Sequence, residues 1–230
     1  MSAAEKFQAP SLRHFFGTDN FGRDIFSRVM QGLGTTVVVS SLVVAVSGTA
    51  GILLGAFTGY FGGLLDEVVM RITDAVNGFP IILLTLVIII LLGSGKWNVV
   101  LSLGIVFTPS FVRIVRSEFL RLRDADYIRR ARLMGLGRLR ILFVHILPNV
   151  FSVFWVSVMI GFNNAILAES GMSYLGIGVQ PPDASLGKML SDAQGYLQNA
   201  PWYACTPGLT IVWLVLGFSL LGEGISRRGE

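Results

Sequence analysis

Long stretches with few or no charged residues dominate this sequence and limit the folds open to it. The predicted membrane spans are residues 35–57, 75–92, 97–115, 148–168 and 203–221. Each approaches the roughly 20 residues that a helix needs to cross the hydrocarbon core of a bilayer. Only 14% of the residues are charged, against about 25% in an average soluble domain. The sequence therefore predicts an all-α, multi-pass membrane bundle of about five spanning helices.

Basic residues are concentrated in one polar segment, which sets the predicted orientation. Nine of the 18 Lys and Arg residues lie between positions 113 and 140. Because cytoplasmic loops of membrane proteins carry an excess of Lys and Arg, this segment is predicted to lie inside. The N-terminal segment is then outside, and residues 62–77 are inside, although their acids outnumber their one arginine, Arg71. Basic residues that flank apolar spans in this way do not indicate nucleic-acid binding.

Residue patterns typical of enzymes and metal sites are missing from the sequence. Residues 93–97 resemble a phosphate-binding loop in passing, but they lack its first glycine and the Ser or Thr that holds magnesium. No zinc-protease or serine-hydrolase motif occurs. His14 and His145 are predicted on opposite sides of the membrane, and Cys205 is the one cysteine. We therefore predict no catalytic residue, no metal site and no internal disulfide.

Small and rigid residues indicate where helices pack and begin. Pro80 and Pro148 are predicted at helix starts, where a missing N–H costs little. A flat strip on the first span lets another helix backbone approach closely. That second helix belongs either to the same subunit or to a partner subunit. The strip consists of glycines four residues apart: Gly51, Gly55, Gly59 and Gly63.

Polar residues near the fourth span are candidates for a translocation path. Asn163, Asn164 and Glu169 lie in its outer half or just beyond it. They either hydrogen-bond between helices or line a polar path, because a polar group in lipid is costly without a partner or a role. Glu169 is expected near the outer interface, where water would solvate its charge. The following loop, residues 170–201, either re-enters the bundle as a gate or is a long connector.

The most distinctive polar segment, residues 127–148, reads YIRRARLMGLGRLRILFVHILP. It is strongly basic and continues directly into an apolar helix. Gly135 and Gly137 permit a sharp turn after a short helix, and Asp124 or Asp126 is placed to cap the start of that helix. The pattern predicts a structured segment presented to a cytoplasmic partner.

This segment resembles the EAA loop of permeases from binding-protein-dependent ABC importers. The family pattern is E-A-A, three residues, G, nine residues, usually I or H, any residue, then L-P. Arginines stand here where the pattern has Glu and its first Ala, and Tyr127 is similar to the peptide/nickel branch of the family. The matching positions keep the spacing: Arg129-Arg130-Ala131, Gly135, His145 and Leu147-Pro148.

Three further segments are similar to the same branch. Residues 17–28 resemble its GTDxxGRDxxSR motif, and Pro207-Gly208 resembles the start of its last helix. Residues 169–187 resemble its block E-x-G-L-S-F-L-G-L-G-x-x-P-P-x-x-x-W-G, with Leu186 where tryptophan is usual. The four motifs occur in the family's order and together cover roughly residues 16–224.

The resemblance implies the core of a type I ABC importer permease with a cytoplasmic coupling helix, in a bacterial or archaeal inner membrane. The implied parts are an outside N-terminal segment (1–34), the permease domain (35–223) and a cytoplasmic tail (224–230). Permeases of this branch usually have one more N-terminal spanning helix, so the chain looks like the five-helix core.

The resemblance also implies partners: a second homologous permease, two cytoplasmic ATPase subunits and an extracytoplasmic solute-binding protein. ATP and Mg²⁺ would be bound by the ATPases, and this chain would bind no cofactor. The arginines of the loop would either pair with acidic residues of an ATPase or anchor to anionic lipid. Residues implied in coupling to the ATPase are Asp126, Tyr127, Arg129, Arg130, Ala131, Gly135, His145, Leu147 and Pro148.

The substrate is less sharply indicated than the transport class. Di- or oligopeptides are favoured because no cluster of metal ligands accompanies the candidate path, and nickel or opine import is the alternative. A channel or secondary transporter that works without ATPases is a further alternative. Such a protein would not need an arginine-rich coupling loop and often shows inverted repeats. An inactive scaffold is the third alternative.

Overall fold

A computed structural model describes residues 5–228 of the chain, and their backbone is helical apart from turns, loops and one isolated bridge between Thr18 and Asp24. Two short helical segments among these residues are of other types: a π-helical turn at Ile141–Ile146 and a 3₁₀ turn at Gln194–Tyr196. The α-helices are α1 (Ile25–Phe61), α2 (Gly63–Asn77), α3 (Ile81–Leu92), α4 (Lys96–Arg123), α5 (Asp126–Leu133), α6 (Arg138–Arg140), α7 (Leu147–Tyr174), α8 (Leu186–Ala193) and α9 (Pro201–Arg228).

Four helical stretches of the described chain are long and apolar enough to cross a membrane. They are α1, α4, the continuous run Arg138–Tyr174 and most of α9. The pair α2 and α3 makes a fifth if the two helices together form one span. This agrees with the predicted all-α membrane bundle of about five spanning helices.

The second predicted span, residues 75–92, is wrong as a single straight helix. The chain bends by 96° between α2 and α3. Pro80 disfavours a helical conformation at the preceding residue and cannot donate an N–H, so the helix restarts after it. α3 has 12 residues and is therefore only about 18 Å long, which is short of the roughly 30 Å of the hydrocarbon core.

The prediction that Pro148 begins a helix is also wrong. The helical run starts ten residues earlier, at Arg138, and Pro148 is the second residue of α7. A proline inside a helix leaves the carbonyl of an earlier turn without its N–H donor. The π-helical turn Ile141–Ile146 directly before it changes the bonding register, and the Asn149 side-chain amide donates to the His145 carbonyl oxygen at 2.7 Å. The local irregularity therefore accommodates the proline without ending the helix.

The chain forms two compact units, and α1, α3, α4, α7 and α9 contribute residues to both. The first unit draws on the chain up to Val43, Thr85–Leu103 and Phe162–Phe218. Its core contains Ile25, Ile166, Leu186 and Tyr203, all buried. The second unit draws on Val44–Leu84, Gly104–Gly161 and the chain after Phe218. Of the predicted tail 224–230, α9 includes the part up to Arg228, and residues 229 and 230 lie outside the described residues.

Three of the four spaced glycines bring α1 against α4 within the second unit. A Cβ atom built on Gly55 would lie 2.8 Å from the Val112 carbonyl oxygen. One on Gly59 would lie 2.6 Å from the Phe119 Cβ atom, and one on Gly51 would overlap Phe111. The strip therefore faces a helix of the same subunit. Gly63 is not part of it, because this glycine begins α2 with a positive φ and open space around it.

We predict that Gly55→Ala destabilises the fold by about 1–3 kcal/mol, because the added methyl group meets backbone that cannot yield cheaply. Gly34→Ala on the same helix is the matched control, since nothing lies within 4 Å of its added carbon. That change should be neutral or stabilising by up to about 1 kcal/mol. Thermal unfolding of the two purified variants in detergent measures the difference. Equal unfolding midpoints would show that α1 and α4 are not packed this closely.

Candidate functional site

The EAA-like segment forms a short helix with a defined start and end. Ala125 is the N-cap residue of α5 and makes no side-chain capping bond, so the predicted cap by Asp124 or Asp126 is wrong. Asp126 instead lies in the first turn, where its charge interacts favourably with the helix dipole. At the other end the Leu136 N–H donates to the Ala131 carbonyl at 3.2 Å, and Gly135 has a φ of +79°. This is a Schellman ending, which depends on a residue in the left-handed region.

α5 has one face against its own chain and one face free. Ile128 and Ala131 are buried, and they anchor the helix. Leu133 is 88% exposed and Met134 74% exposed, which is unusual for apolar side chains on a short helix. The free face combines these apolar groups with basic and aromatic ones, and its members are Tyr127, Arg129, Arg130, Leu133 and Met134. Such a mixed surface suits a protein partner better than bulk water.

Hydrogen bonds join α5 to the end of α4 and, through it, to α1. The Arg132 guanidinium donates to the Arg123 carbonyl oxygen at 3.1 Å. The Arg123 guanidinium in turn donates to the Gly59 carbonyl oxygen at 3.3 Å. A displacement of α5 would therefore be transmitted to two spanning helices rather than absorbed by a slack loop.

The remaining residues of the EAA-like motif lie beyond α5 rather than on its free face. His145 is half-buried in the π-helical turn, and its Nδ1 atom lies 3.4 Å from the Arg140 carbonyl oxygen. Leu147 and Pro148 are the first two residues of α7. The buried side chains Ile141, Leu142 and Ile146 fix this stretch. The motif thus joins α5 to the spanning helix α7.

Acidic residues of α2 pair with arginines of α4. Asp66 accepts two hydrogen bonds from Arg116, at 2.5 Å from Nε and 2.7 Å from Nη2. Asp74 accepts one from Arg113 at 3.0 Å. The excess of acids over arginines within residues 62–77 is therefore balanced by arginines of the basic segment. The sequence did not lead us to predict that these acids pair with arginines of α4. Opposite charges on neighbouring polar segments could have suggested the pairing.

Glu169 is buried, so the expectation that water solvates its charge is wrong. The Thr36 hydroxyl donates to Oε2 at 2.9 Å, and the Ser173 hydroxyl donates to Oε1 at 2.7 Å. The hydroxyl of Ser185 also lies within hydrogen-bonding reach of the carboxyl group. One carboxyl group therefore connects α1, α7 and the start of α8 inside the first unit. Of the other two candidates, Asn163 is half-buried and Asn164 is exposed.

Sequence analysis missed the hydroxyl partners of Glu169. Ser185 carried a local signal, since it precedes a helical pattern and is the N-cap residue of α8, accepting from the Lys188 N–H at 3.2 Å. Thr36 carried none, because it is 133 positions away along the chain and lies in an apolar span. Only the packing of α1 against α7 reveals it.

The loop after α7 folds back on the end of that helix. The Val179 N–H donates to the Ser173 hydroxyl at 3.0 Å, and Val179 is buried. A Cβ atom on Gly187 would overlap the Ser170 carbonyl oxygen, so α8 approaches α7 at backbone distance. Tyr174 and Leu175, two apolar residues of the candidate gate segment 170–201, are exposed.

The GTDxxGRD-like motif forms a compact polar knot before α1. The buried Asp19 carboxylate accepts from the Phe21 and Arg23 backbone N–H groups at 2.8 and 2.9 Å, and from Arg23 Nε at 2.6 Å. Gly17 has a φ of +74°, and a Cβ atom there would lie 2.7 Å from the Trp202 Nε1 atom. The motif therefore organises the chain where it enters α1 and contacts the start of α9.

Asp24 ends this motif at the beginning of α1. Its carboxylate accepts from the Ser27 N–H at 2.9 Å in the manner of a helix cap, and it lies 3.0 Å from the His14 Nδ1 atom. Burial by itself raises the pKa of this carboxyl group. Hydrogen bonds from the Ser27 amide, the His14 ring and the Ser27 hydroxyl outweigh burial, so the pKa of Asp24 lies below its ordinary value.

The segment that resembled a phosphate-binding loop is a tight connection between α3 and α4. Gly93 and Gly95 have positive φ angles, and the Asn98 amide donates to the Leu92 and Gly93 carbonyl oxygens at 2.9 Å. Lys96 of this connection forms an ion pair with Asp183 at 2.6 Å. Within the described part of the chain, no group of three or more His, Cys, Asp or Glu residues is arranged to hold a metal ion.

Residues 51–228, which include α5, the π-helical turn and Glu169, match the profile of a family described as the inner membrane component of binding-protein-dependent transport systems. The chain belongs to this family. It is accordingly a multi-pass membrane transport protein, as the EAA-like loop indicated.

Several curated relatives cover nearly the whole chain. The dipeptide transport system permease DppC of Alkalihalophilus pseudofirmus is 40% identical over 222 residues, which are 96% of this chain and 73% of that protein. The glutathione transport system permease GsiD of Pectobacterium atrosepticum is 39% identical, over 95% of this chain and 72% of that protein. A probable D,D-dipeptide transport system permease of Escherichia coli is 36% identical, over 94% of this chain and 72% of that protein.

Solved structures show the same fold at lower identity. A chain of the MetNI methionine ABC transporter in an inward-facing conformation superposes with a TM-score of 0.69 at 19% identity, covering 90% of this chain and 96% of that chain. A chain of an amino acid ABC transporter gives a TM-score of 0.70 at 17% identity, covering 88% and 94%. The predicted fold, the core of a type I ABC importer permease, is confirmed.

We predict that Glu169→Ala impairs folding more than Glu169→Gln. Alanine removes the acceptor of the Thr36 and Ser173 hydroxyls and leaves them buried without it, at a cost of about 1–3 kcal/mol. Glutamine keeps the shape and an acceptor oxygen, so most of the stability should remain. The yield of monodisperse protein and the midpoint of thermal unfolding in detergent report the difference. Alanine and glutamine variants of equal stability would contradict the assigned role.

The Asp66–Arg116 pair should contribute more to stability than an exposed pair on the same helix. Both side chains of the Asp66–Arg116 pair are mostly buried. Glu67 and Arg71 also form an ion pair, with a nitrogen–oxygen distance of 2.9 Å, but their side chains are 59% and 80% exposed. A double-mutant cycle with Asp66→Asn and Arg116→Gln is expected to give a coupling energy of about 1–2 kcal/mol. The matched cycle with Glu67→Gln and Arg71→Gln should give about 0.5 kcal/mol or less. Similar coupling in both cycles would count against a bridge between α2 and α4.

Proposed function

We propose that this protein is a permease subunit of an ABC importer for di- or oligopeptides, and that α5 is its contact with a cytoplasmic ATPase. Its family is that of binding-protein-dependent transport, and several relatives are named as dipeptide or peptide permeases. The free face of α5 is the single observation that carries the coupling role. Its exposed leucine, methionine and arginines would otherwise lie in water without partners.

Charge and shape assign parts of this face to the ATPase. Arg129 and Arg130 are exposed and are suited to pair with acidic side chains of a groove. Leu133 and Tyr127 supply apolar surface that becomes buried on docking. Buried Ile128 keeps the helix attached to its own subunit while the partner pulls on the other face.

The complete importer would contain a second homologous permease, two ATPase subunits and an extracytoplasmic solute-binding protein. ATP and Mg²⁺ would be bound and used by the ATPases, and this chain would bind neither. ATP-driven closure of the ATPases would move α5. The hydrogen bonds through Arg132 and Arg123 would pass that movement to α4 and α1.

The candidate path residues differ in their access. Asn164 is exposed and can meet a passing peptide or the second permease. Glu169 is enclosed by hydroxyl groups, so in this conformation its role is to hold α1, α7 and α8 together near the path. Asn163 is half-buried, so it is less accessible than Asn164 and more accessible than Glu169.

The experiment is ATP-driven uptake of a labelled dipeptide into proteoliposomes that contain the full complex and its binding protein. Gly135→Val places a β-branched residue at a φ of +79° and should distort the end of α5. We expect uptake to fall by on the order of tenfold while ATP hydrolysis continues, because strain of about 1–3 kcal/mol changes a coupled equilibrium by that much.

Gly137→Val is the matched control, since Gly137 has an extended backbone with a φ of −62° that any residue adopts. Normal coupled uptake in the Gly135→Val complex would overturn the assigned role of α5. Uptake that needs no ATPase subunit would overturn the importer itself. Uptake of a nickel chelate in place of the dipeptide would overturn only the substrate class.

A further inference from the structure

A cavity of about 470 Å³ lies in the second unit, beside the end of α1. It carries two guanidinium groups, and none of the described residues that line it is acidic. Aromatic and aliphatic side chains form the rest of its wall. The lining residues are Tyr60, Phe61, Arg132, Leu136, Arg138 and Ile141.

The two arginines of this cavity differ from the arginines of α4. Those of α4 each have a carboxylate partner, since Arg113, Arg116, Arg121 and Arg123 pair with Asp74, Asp66, Glu118 and Asp124. Arg132 instead donates to a carbonyl oxygen and lies 5.9 Å from the centre of the Tyr60 ring. Neither Arg132 nor Arg138 forms an ion pair with any acid of the described chain. The cavity therefore holds two positive charges that no acid among the described residues neutralises.

The cavity lies at one end of a helix that is long and apolar enough to span the membrane. Tyr60 and Phe61, the last two residues of α1, both line it. The end of a span is close to the interface between hydrocarbon and water. The basic segment lies on the same side, which the positive-inside pattern assigns to the cytoplasm. Anionic lipids are concentrated in the cytoplasmic leaflet.

The direction of Arg132 separates it from the ATPase-facing arginines. At about 100° per helical residue, Arg132 is roughly 40° from the buried Ile128 around α5, whereas Arg130 is roughly 160° from it. Arg132 thus borders the anchored face, where its contact with Tyr60 is found. An acidic ATPase side chain would meet Arg129 and Arg130 on the free face first.

We propose that this cavity binds the phosphate group of an anionic phospholipid of the cytoplasmic leaflet. Arg132 and Arg138 hold the phosphate oxygens, as guanidinium groups do with bidentate geometry. Phe61 and Leu136 give the start of an acyl chain an apolar wall. The bound lipid joins the end of α1 to α5 and to the start of the Arg138–Tyr174 run. It thereby supports the segment through which coupling is transmitted.

Native mass spectrometry of the purified, detergent-solubilised complex tests this after exchange into micelles with phosphatidylglycerol or phosphatidylcholine. The wild type is expected to retain phosphatidylglycerol in preference to phosphatidylcholine. Removing both charges in Arg132→Gln/Arg138→Gln should weaken retention by roughly 30-fold, at about 1 kcal/mol for each arginine near a membrane surface. Arg121→Gln/Arg140→Gln removes two arginines of the same basic segment outside the cavity, and it should retain the lipid as the wild type does.

Each other outcome has a definite meaning. Equal retention by the two double variants overturns the site. Displacement of the retained lipid by millimolar inorganic phosphate shows that the cavity binds free phosphate and overturns the lipid as its ligand. If the cavity variant keeps phosphatidylglycerol but loses its ATPase subunits, the cavity is a protein contact and the proposal fails. Because the readout is lipid retention, failure of the peptide or coupling assignments leaves this test unaffected.

Discussion

The bilayer core offers no hydrogen-bonding partner, and the rest of this structure depends on that constraint. Backbone N–H and C=O groups in the bilayer core must therefore hydrogen-bond within the protein, and a helix pairs all of them within one segment. The long apolar stretches accordingly become helices. The same constraint acts on side chains. Glu169 is enclosed by hydroxyl groups from α1, α7 and the start of α8, and Asp66 is held by two nitrogen atoms of Arg116. Both carboxylates thus tie helices together.

The arginines of the basic segment serve three separate purposes. Those on α4 are neutralised by carboxylates and hold α2 or the end of α4 in place. Arg129 and Arg130 stay exposed on the free face of α5, where a partner protein can meet them. Arg132 and Arg138 line a cavity next to the aromatic end of α1. The sequence leaves two uses of these arginines open, ATPase contact and lipid anchoring. We propose the first for Arg129 and Arg130 and the second for Arg132 and Arg138.

Local irregularities explain where interpretation of the sequence succeeded and where it did not. Pro80 was predicted at a helix start, and it does directly precede α3. α2 has already ended at Asn77, so no helix continues through this proline. Pro148 looked the same in sequence, yet the π-helical turn before it lets the helix continue. Whether a proline ends a helix depends on the packing of the surrounding turns, here on buried Ile141, Leu142 and Ile146. A single sequence does not display that packing.

The sequence by itself determined the helical membrane class and the turn at Gly135, and it predicts that the basic segment lies inside. These follow from local properties: apolar length, charge and the left-handed conformation that glycine tolerates. Only the tertiary structure decided that Glu169 is buried, that the glycine strip faces α4 and that Arg132 and Arg138 share a cavity. Those facts depend on residues far apart in the chain, such as Thr36 and Glu169. Their proximity arises from helix packing, which no short segment encodes alone.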